Sequence, residues 1–142
     1  METPLFNVHH LGIAVADLNQ ALAFYQSALG FQITSGPFVD PIQKVSVCFI
    51  QNRDGQGPLL ELICPTEAAS PVTGLLAKGT GAYHVCYEVK DLEETLDEMR
   101  SRGSVVVSNP QPAVAFGGRR IAWCFLPTKH LAEFVELELL SR

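Results

Sequence analysis

The sequence predicts an α+β fold: two tandem βαβββ modules forming a curved mixed sheet around a central cavity. A strand-like run that begins with a histidine occurs twice, at His10 and at His84. In each copy an Asp-Leu pair follows seven residues later and opens a helical pattern, and three β-like segments come after that helix. Because recurrence of one supersecondary unit is typical of a duplicated architecture, we expect the two halves to fold alike.

The two predicted helices have matching start and stop signals. Asp17 and Asp91 stand where an N-cap side chain accepts hydrogen bonds from the first turn. Gly30 and Gly103 stand where a left-handed residue ends a helix. The apolar residues between them have amphipathic spacing: Leu18, Leu22 and Tyr25 in the first helix, and Leu92, Leu96 and Met99 in the second.

Three β-like segments follow each helix. Alternating and β-branched residues place them at residues 31–35, 44–51 and 58–64 in the first half, and at residues 104–108, 120–126 and 133–139 in the second.

The length of 142 residues predicts one domain, residues 1–142, with module one at about 6–64, a linker at 65–82 and module two at about 83–140. The linker is rich in Pro, Ser, Thr, Gly and Ala, and a short helix is expected at residues 71–78, with Pro71 in its first turn. A module of ~60 residues is marginal alone, so we expect the two modules to stack.

Composition excludes several classes of partner. The net charge is −5, which argues against nucleic acid, and no apolar stretch is long enough to cross a membrane. No secretory or transit signal is readable, so a cytoplasmic protein is expected. The four cysteines lack CxxC spacing and are interpreted as small buried apolar residues. The basic pair Arg119-Arg120 is either a solvated turn or a grip on an anionic group of the substrate.

Strand alternation sorts each histidine-led run into two faces. In the first run, Leu11, Ile13 and Val15 suit packing beneath a helix, whereas His10 shares its face with Gly12 and Ala14. In the second, the bulky face holds Val85, Tyr87 and Val89, and the histidine face holds His84, Cys86 and Glu88. The histidine face is small or polar in both runs, as expected for the lining of a cavity.

Each half also places a carboxylate within an apolar strand, Glu61 in the first and Glu136 in the second. A carboxylate buried without a partner costs several kcal/mol, so each is expected to be exposed, paired or bound to metal. Taken singly, either Glu fits an edge strand and either His fits a structural role. However, 51 positions separate His10 from Glu61 and 52 separate His84 from Glu136. This recurrence predicts a divalent-metal site built from all four, suited to Zn, Co, Ni, Mn or Fe(II).

Several other polar residues are weaker candidates. His9 and Tyr83 each precede a candidate ligand, so alternation turns them toward the opposite face. His130 lies in a turn and is expected at the surface, and Glu88 is expected at the rim of the cavity.

Residues 10–24, residues 83–96 and the strand around Glu136 resemble the vicinal oxygen chelate superfamily, which includes glyoxalase I, bleomycin-resistance proteins and extradiol dioxygenases. The resemblance covers nearly the whole chain. It implies metal ligands at His10, Glu61, His84 and Glu136, and a homodimer.

Within the superfamily, the chain most resembles the methylmalonyl-CoA epimerase family, at residues 10–15, 43–49, 60–62, 70–72 and 116–121. This implies a metal-dependent isomerase that moves a proton alpha to an acyl thioester through a metal-stabilised enolate, with Glu136 combining ligation and proton transfer. Val47 stands where some epimerases carry a second carboxylate, so the base for the other face is not identified.

Two alternatives remain open at the level of the sequence. One is another metal enzyme of this fold, such as a glyoxalase, a lyase or a thiol- or thioester-processing enzyme. The other is a metal-free protein that sequesters a small molecule such as an antibiotic. Drug-binding members of the superfamily usually lack the His and Glu set, whereas all four positions are filled here.

Overall fold

The computed structural model describes residues 6–78 and 82–137, and these form two compact units. The first unit comprises the described residues from His10 to Tyr83; the second comprises residues 6–9 together with those from His84 onward. The boundary lies inside the first strand. Residues 138–140, which end the predicted second module, are outside the described range, and the assignment of the whole chain to one domain stays a prediction.

The first unit is built around a four-stranded sheet in the order β2-β3-β4-β1. Strand β1 is parallel to β4, whereas β3 is antiparallel to both β4 and β2. The elements, in chain order, are β1 (Asn7–Ala14), α1 (Leu18–Ala28), β2 (Phe31–Asp40), β3 (Val45–Asn52), β4 (Leu60–Pro65) and α2 (Pro71–Ala77).

The second unit has strands in the order β5-β9-β8-β6, with the short β7 also paired to β8. Strand β5 is parallel to β9, and β8 is antiparallel to β9 and to β6. The elements are β5 (Ala82–Val89), α3 (Leu92–Ser101), β6 (Val105–Val106), β7 (Gln111–Pro112), a 3₁₀ turn (Val114–Phe116), β8 (Arg120–Phe125) and β9 (Leu131–Glu136).

The pairing scheme is therefore the same in both units. The strand before the helix runs parallel to the last strand, and the last strand runs antiparallel to its predecessor. This confirms the α+β class and the two βαβββ modules.

The helix caps also match the prediction. Asp17 Oδ1 accepts a hydrogen bond from the backbone N–H of Gln20 at 2.9 Å, and Asp91 Oδ1 accepts one from Glu94 at the same distance. Each satisfies a first-turn donor that has no partner within its helix. Gly30 has a positive φ of 75°, as expected for a residue that ends a helix in the left-handed conformation.

Each helix covers one face of its sheet. In the first unit, Leu18 and Leu22 of α1 pack on residues from β3 and β4, with Ile13 at the margin. In the second, Leu92 and Leu96 of α3 pack on residues that include Phe134. Burying each leucine contributes about 2 kcal/mol. The other face of each sheet carries the histidine. Leu11, expected beneath the helix, is instead 36% exposed.

Several predicted strand boundaries differ from those of the structure. β2 continues five residues past the predicted end, and the predicted strand at 104–108 is replaced by the shorter β6 and β7. β9 begins at Leu131, two residues earlier than expected, because a tight turn precedes it: the Leu126 N–H donates to the His130 carbonyl at 2.9 Å, and Lys129 has a positive φ. Glu133 is therefore an interior residue of β9 rather than its first residue.

The structure bears on two expectations from composition, the burial of the cysteines and the absence of a membrane span. Cys48, Cys86 and Cys124 are buried, as expected, whereas Cys64 is half-buried. Across the described ranges, every helix is too short or too polar to cross a membrane.

Removing a helix cap tests how much the capping side chain contributes to the stability of the protein. We expect Asp91→Ala to lower the free energy of unfolding by about 1 kcal/mol, because the first-turn N–H of Glu94 loses its acceptor. Urea denaturation followed by circular dichroism measures this. Asp97→Ala, at an exposed position of the same helix, is the matched control. Its carboxylate pairs with Arg100 at the surface, so the substitution should change stability by less than about 0.5 kcal/mol. Equal losses in both variants would contradict the capping role.

Candidate functional site

The first unit contains a buried histidine–glutamate pair. His10 comes from β1 and Glu61 from the adjacent, parallel β4. The register places Glu61 beside Gly12, two residues beyond His10 and therefore on the same face of the sheet. His10 Nε2 lies 3.3 Å from Glu61 Oε1, and the two residues are 1% and 5% exposed.

The second unit contains a matching pair, and it differs from the one expected. His84 of β5 lies beside Glu133 of β9, not beside Glu136. Glu133 is in register with Cys86, two residues beyond His84. His84 Nε2 lies 3.1 Å from Glu133 Oε1, and the residues are 7% and 3% exposed. The second unit thus repeats the register of the first.

Glu136 lies on the opposite face of β9 from Glu133, because three positions along a strand reverse the direction of the side chain. Its carboxylate accepts bonds from Arg120: the backbone N–H at 2.7 Å, Nε at 3.1 Å and Nη2 at 3.0 Å. Arg120 also pairs with Glu93 of helix α3. Glu136 therefore joins β9, β8 and α3 on the helix side of the sheet. The pairing of His84 with Glu136 is corrected to Glu133.

The electrostatic setting of Glu136 makes it a poor proton acceptor. Its pKa is lowered, chiefly by the side-chain hydrogen bond from Arg120, and burial opposes this only in part. The pKa of Arg120 is raised by its bonds to Glu93 and Glu136. A carboxylate stabilised in its ionised form takes up a proton less readily, so Glu136 is badly suited to the proton-transfer role expected for it.

The basic pair Arg119-Arg120 is neither a solvated turn nor, as it stands, an open grip for an anion. Arg119 Nη1 donates to Glu88 Oε2 at 3.0 Å and to the carbonyl of Glu136 at 3.2 Å. Its guanidinium also lies over the ring of Phe116, 5.6 Å from the centroid. Glu88, expected at a rim, is thus held in an ion pair.

The remaining candidates are placed as follows. His9 meets the edge of Phe116 at a centroid distance of 5.2 Å, and His130 is exposed in the β8–β9 turn, as expected. Val47 is buried on β3. The side chain of Tyr83 lies outside the described part of the chain.

Each histidine–glutamate pair also has an aromatic neighbour that the sequence analysis missed. Phe49 of β3 is in register with Glu61, and its ring centroid is 5.3 Å from that of His10 at an interplanar angle of 70°. Trp123 of β8 is in register with Glu133, and its centroid is 4.7 Å from that of His84 at 83°. Aligning the two modules on their third strands would have revealed both.

The donors in each pair suit a divalent ion. Ions such as Zn²⁺ bind imidazole nitrogen and carboxylate oxygen at about 2.0 to 2.2 Å, so two such donors on one ion lie roughly 3.0 to 3.5 Å apart. The observed distances of 3.3 Å and 3.1 Å fall in this range. Burying a glutamate also has a high cost unless a cation or hydrogen-bond donors compensate it.

The Arg120–Glu136 pair predicts a pH-dependent contribution to stability. Because the folded-state pKa of Glu136 is lowered, its contribution is present at neutral pH and is lost as the pH falls through that lowered value. We expect Glu136→Gln to lower the free energy of unfolding at pH 7 by about 1 kcal/mol, with the difference shrinking toward pH 3. Urea denaturation across this pH range measures it. The control is Glu67→Gln, whose half-exposed carboxylate pairs with Lys44. A loss at pH 7 that persists unchanged at pH 3 would contradict the ion pair.

Comparison with known proteins identifies the family of this chain. The model of the Glyoxalase/Bleomycin resistance protein/Dioxygenase superfamily matches residues 9–123. The chain is 32% identical over 133 residues to an ethylmalonyl-CoA/methylmalonyl-CoA epimerase of Cereibacter sphaeroides, which covers 92% of this chain and 96% of that protein.

Two solved structures have the same fold. The methylmalonyl-CoA epimerase of Mycobacterium tuberculosis has a TM-score of 0.81 at 26% identity, over 98% of this chain and 93% of that one. A variant of the Streptomyces coelicolor methylmalonyl-CoA epimerase, in complex with 2-nitronate-propionyl-CoA, has a TM-score of 0.77 at 27% identity, over 95% and 99% of the chains. With its matched histidine–glutamate pairs and this similarity along nearly its whole length, the chain belongs to the glyoxalase/bleomycin resistance/dioxygenase superfamily.

Proposed function

We propose that the protein is a metal-dependent epimerase of an acyl-CoA thioester of the methylmalonyl type, with His10, Glu61, His84 and Glu133 as the metal ligands. The observation that carries the proposal is the matched pair of buried histidine–glutamate contacts, one in each unit. Co, Zn, Ni, Mn and Fe(II) all accept this mixture of imidazole and carboxylate donors.

The choice of reaction is supported by the relatives. The proteins from Cereibacter sphaeroides and Mycobacterium tuberculosis are named as epimerases of malonyl-type CoA thioesters. The Streptomyces coelicolor protein binds 2-nitronate-propionyl-CoA. A nitronate is a planar anion with its charge on oxygen, which resembles a thioester that has lost its α-proton. None of these three relatives is named as a lyase, so the lyase alternative gains no support from them.

The chemistry divides between the ion and the chain. When bound, a divalent ion would stabilise negative charge on the thioester oxygen. His10 and His84 would act as nitrogen donors, with Glu61 and Glu133 as the carboxylate donors beside them. Glu133 replaces Glu136 as the group that accepts the α-proton, because it is the carboxylate beside His84, whereas Glu136 is held in its ionised form by Arg120 on the opposite face of β9. Homodimerisation and a cytoplasmic location stay predictions.

Hydrogen exchange at the reacting carbon tests the reaction. Protein loaded with Co²⁺ and incubated in D₂O with one epimer of methylmalonyl-CoA should incorporate deuterium at C2 and produce the other epimer, as measured by mass spectrometry and chiral analysis. The absence of deuterium incorporation by metal-loaded protein would contradict the proposal. Isomerisation of the methylglyoxal–glutathione hemithioacetal would instead support a glyoxalase. Protein that neither contains nor acquires metal would favour a sequestering role.

Paired variants on β9 test the assignment of the fourth ligand. We expect Glu133→Gln to bind metal at least tenfold more weakly and to lose at least about 100-fold in kcat, because it loses a charged ligand and the proton acceptor. Glu136→Gln should keep metal binding and activity within a few-fold of the unaltered protein. Elemental analysis after dialysis and the exchange assay measure both. The reverse pattern would assign the site to Glu136 after all.

A further inference from the structure

Phe49 and Trp123 share features that core packing alone does not require. Each lies on the third strand of its module, in register with the glutamate of the buried pair. Each is at least nine-tenths buried. On either side of them along the strands, the residues that face the helix are small or aliphatic: Cys48 and Ile50 in one unit, Ala122 and Cys124 in the other. In both strands the aromatic side chain thus points to the histidine side.

The rings reach across the strand that carries the glutamate. The histidine strand and the aromatic strand flank the glutamate strand on either side, so their backbones lie two strand spacings apart, about 9.6 Å. The ring centroids are nevertheless only 5.3 Å apart for Phe49 and His10, and 4.7 Å for Trp123 and His84. In each unit the aromatic ring therefore leans over the glutamate strand and contacts the imidazole there.

The χ2 torsion of histidine has a broad energy minimum, so packing contacts on the ring limit how far it can swing. An aromatic ring packed edge-on removes that freedom, since the swing would force the two rings together. It also keeps water from the glutamate beneath it, which strengthens the interaction of the carboxylate with its partner.

We propose that Phe49 and Trp123 are positioning residues, which hold His10 and His84 in the orientation that binds the metal ion. This rests on the proposed metal site and adds to it two residues that are not ligands. The residue at this position is phenylalanine in one unit and tryptophan in the other. The role is the same in both, because either ring presents an aromatic edge or face to the imidazole.

The test uses leucine at each position. Phe49→Leu and Trp123→Leu should each weaken Co²⁺ binding by about tenfold, as loss of the groups that orient metal-bound histidines typically does. Trp123→Phe should restore most of the affinity. Chelator competition measures the dissociation constants, and the visible absorption of bound Co²⁺ reports the ligand geometry. The spectrum should change in the leucine variants and return in Trp123→Phe.

Phe134→Leu is the matched control. Phe134 is as deeply buried and lies on β9 next to Glu133, but it faces the helix and stacks with Tyr87. It should lose stability without a change in Co²⁺ affinity or spectrum. If it weakens binding as much as the leucine variants, or if the leucine variants bind as the unaltered protein does, the positioning role is overturned.

A readout that needs no metal separates this inference from the proposed function. Long-range ¹H–¹⁵N spectra of the metal-free protein report the tautomer and order of each imidazole. The signal of His10 should broaden or shift in Phe49→Leu, and that of His84 in Trp123→Phe should stay near its native position. Failure of the unaltered protein to bind Co²⁺ would count against the metal site, whereas unchanged imidazole signals in Phe49→Leu would count against positioning. If Trp123→Leu does not fold, Phe49→Leu and Trp123→Phe decide the question.

Discussion

The arrangement of strands in each unit is constrained by the burial of a carboxylate beside an imidazole, which occurs once in each unit. An ionised glutamate inside a β-sheet is destabilising by several kcal/mol unless a cation or donors compensate it. Glu61 and Glu133 are 5% and 3% exposed, and each lies within 3.3 Å of a histidine nitrogen. The parallel pairing of the first and last strands produces this contact, because it sets the glutamate beside the residue two beyond the histidine.

The two faces of each sheet carry different kinds of side chain. The helix side carries the apolar core, and in the second unit it also carries the ion pairs of Arg120 with Glu136 and Glu93. The opposite side carries the histidine, the glutamate and the aromatic ring. Since strand alternation keeps these sets apart, stability and chemistry can be altered separately. Glu133 and Glu136, three positions apart on one strand, illustrate this division.

The duplicated module explains why the two units carry matching chemical groups. Each unit supplies one imidazole, one carboxylate and one aromatic ring from equivalent strands. The units differ in the third strand's aromatic residue and in the arginine network, which the described part of the chain shows only in the second. The superfamily's name covers a glyoxalase, a resistance protein and a dioxygenase, so the fold by itself does not define a substrate.

The sequence by itself determined the fold class and the helix caps, and it singled out His10, Glu61 and His84 as candidates, since these follow from local signals: a repeated motif, capping residues and strand alternation. It did not determine the fourth residue. Glu133 and Glu136 both lie in an apolar strand, and a similar spacing from the histidine favoured Glu136. Only the tertiary structure decided, because the register of the parallel strands β5 and β9 sets Glu133 beside Cys86, two residues beyond His84 and on the same face. The aromatic partners likewise depend on pairing between strands distant in sequence, which no local pattern encodes.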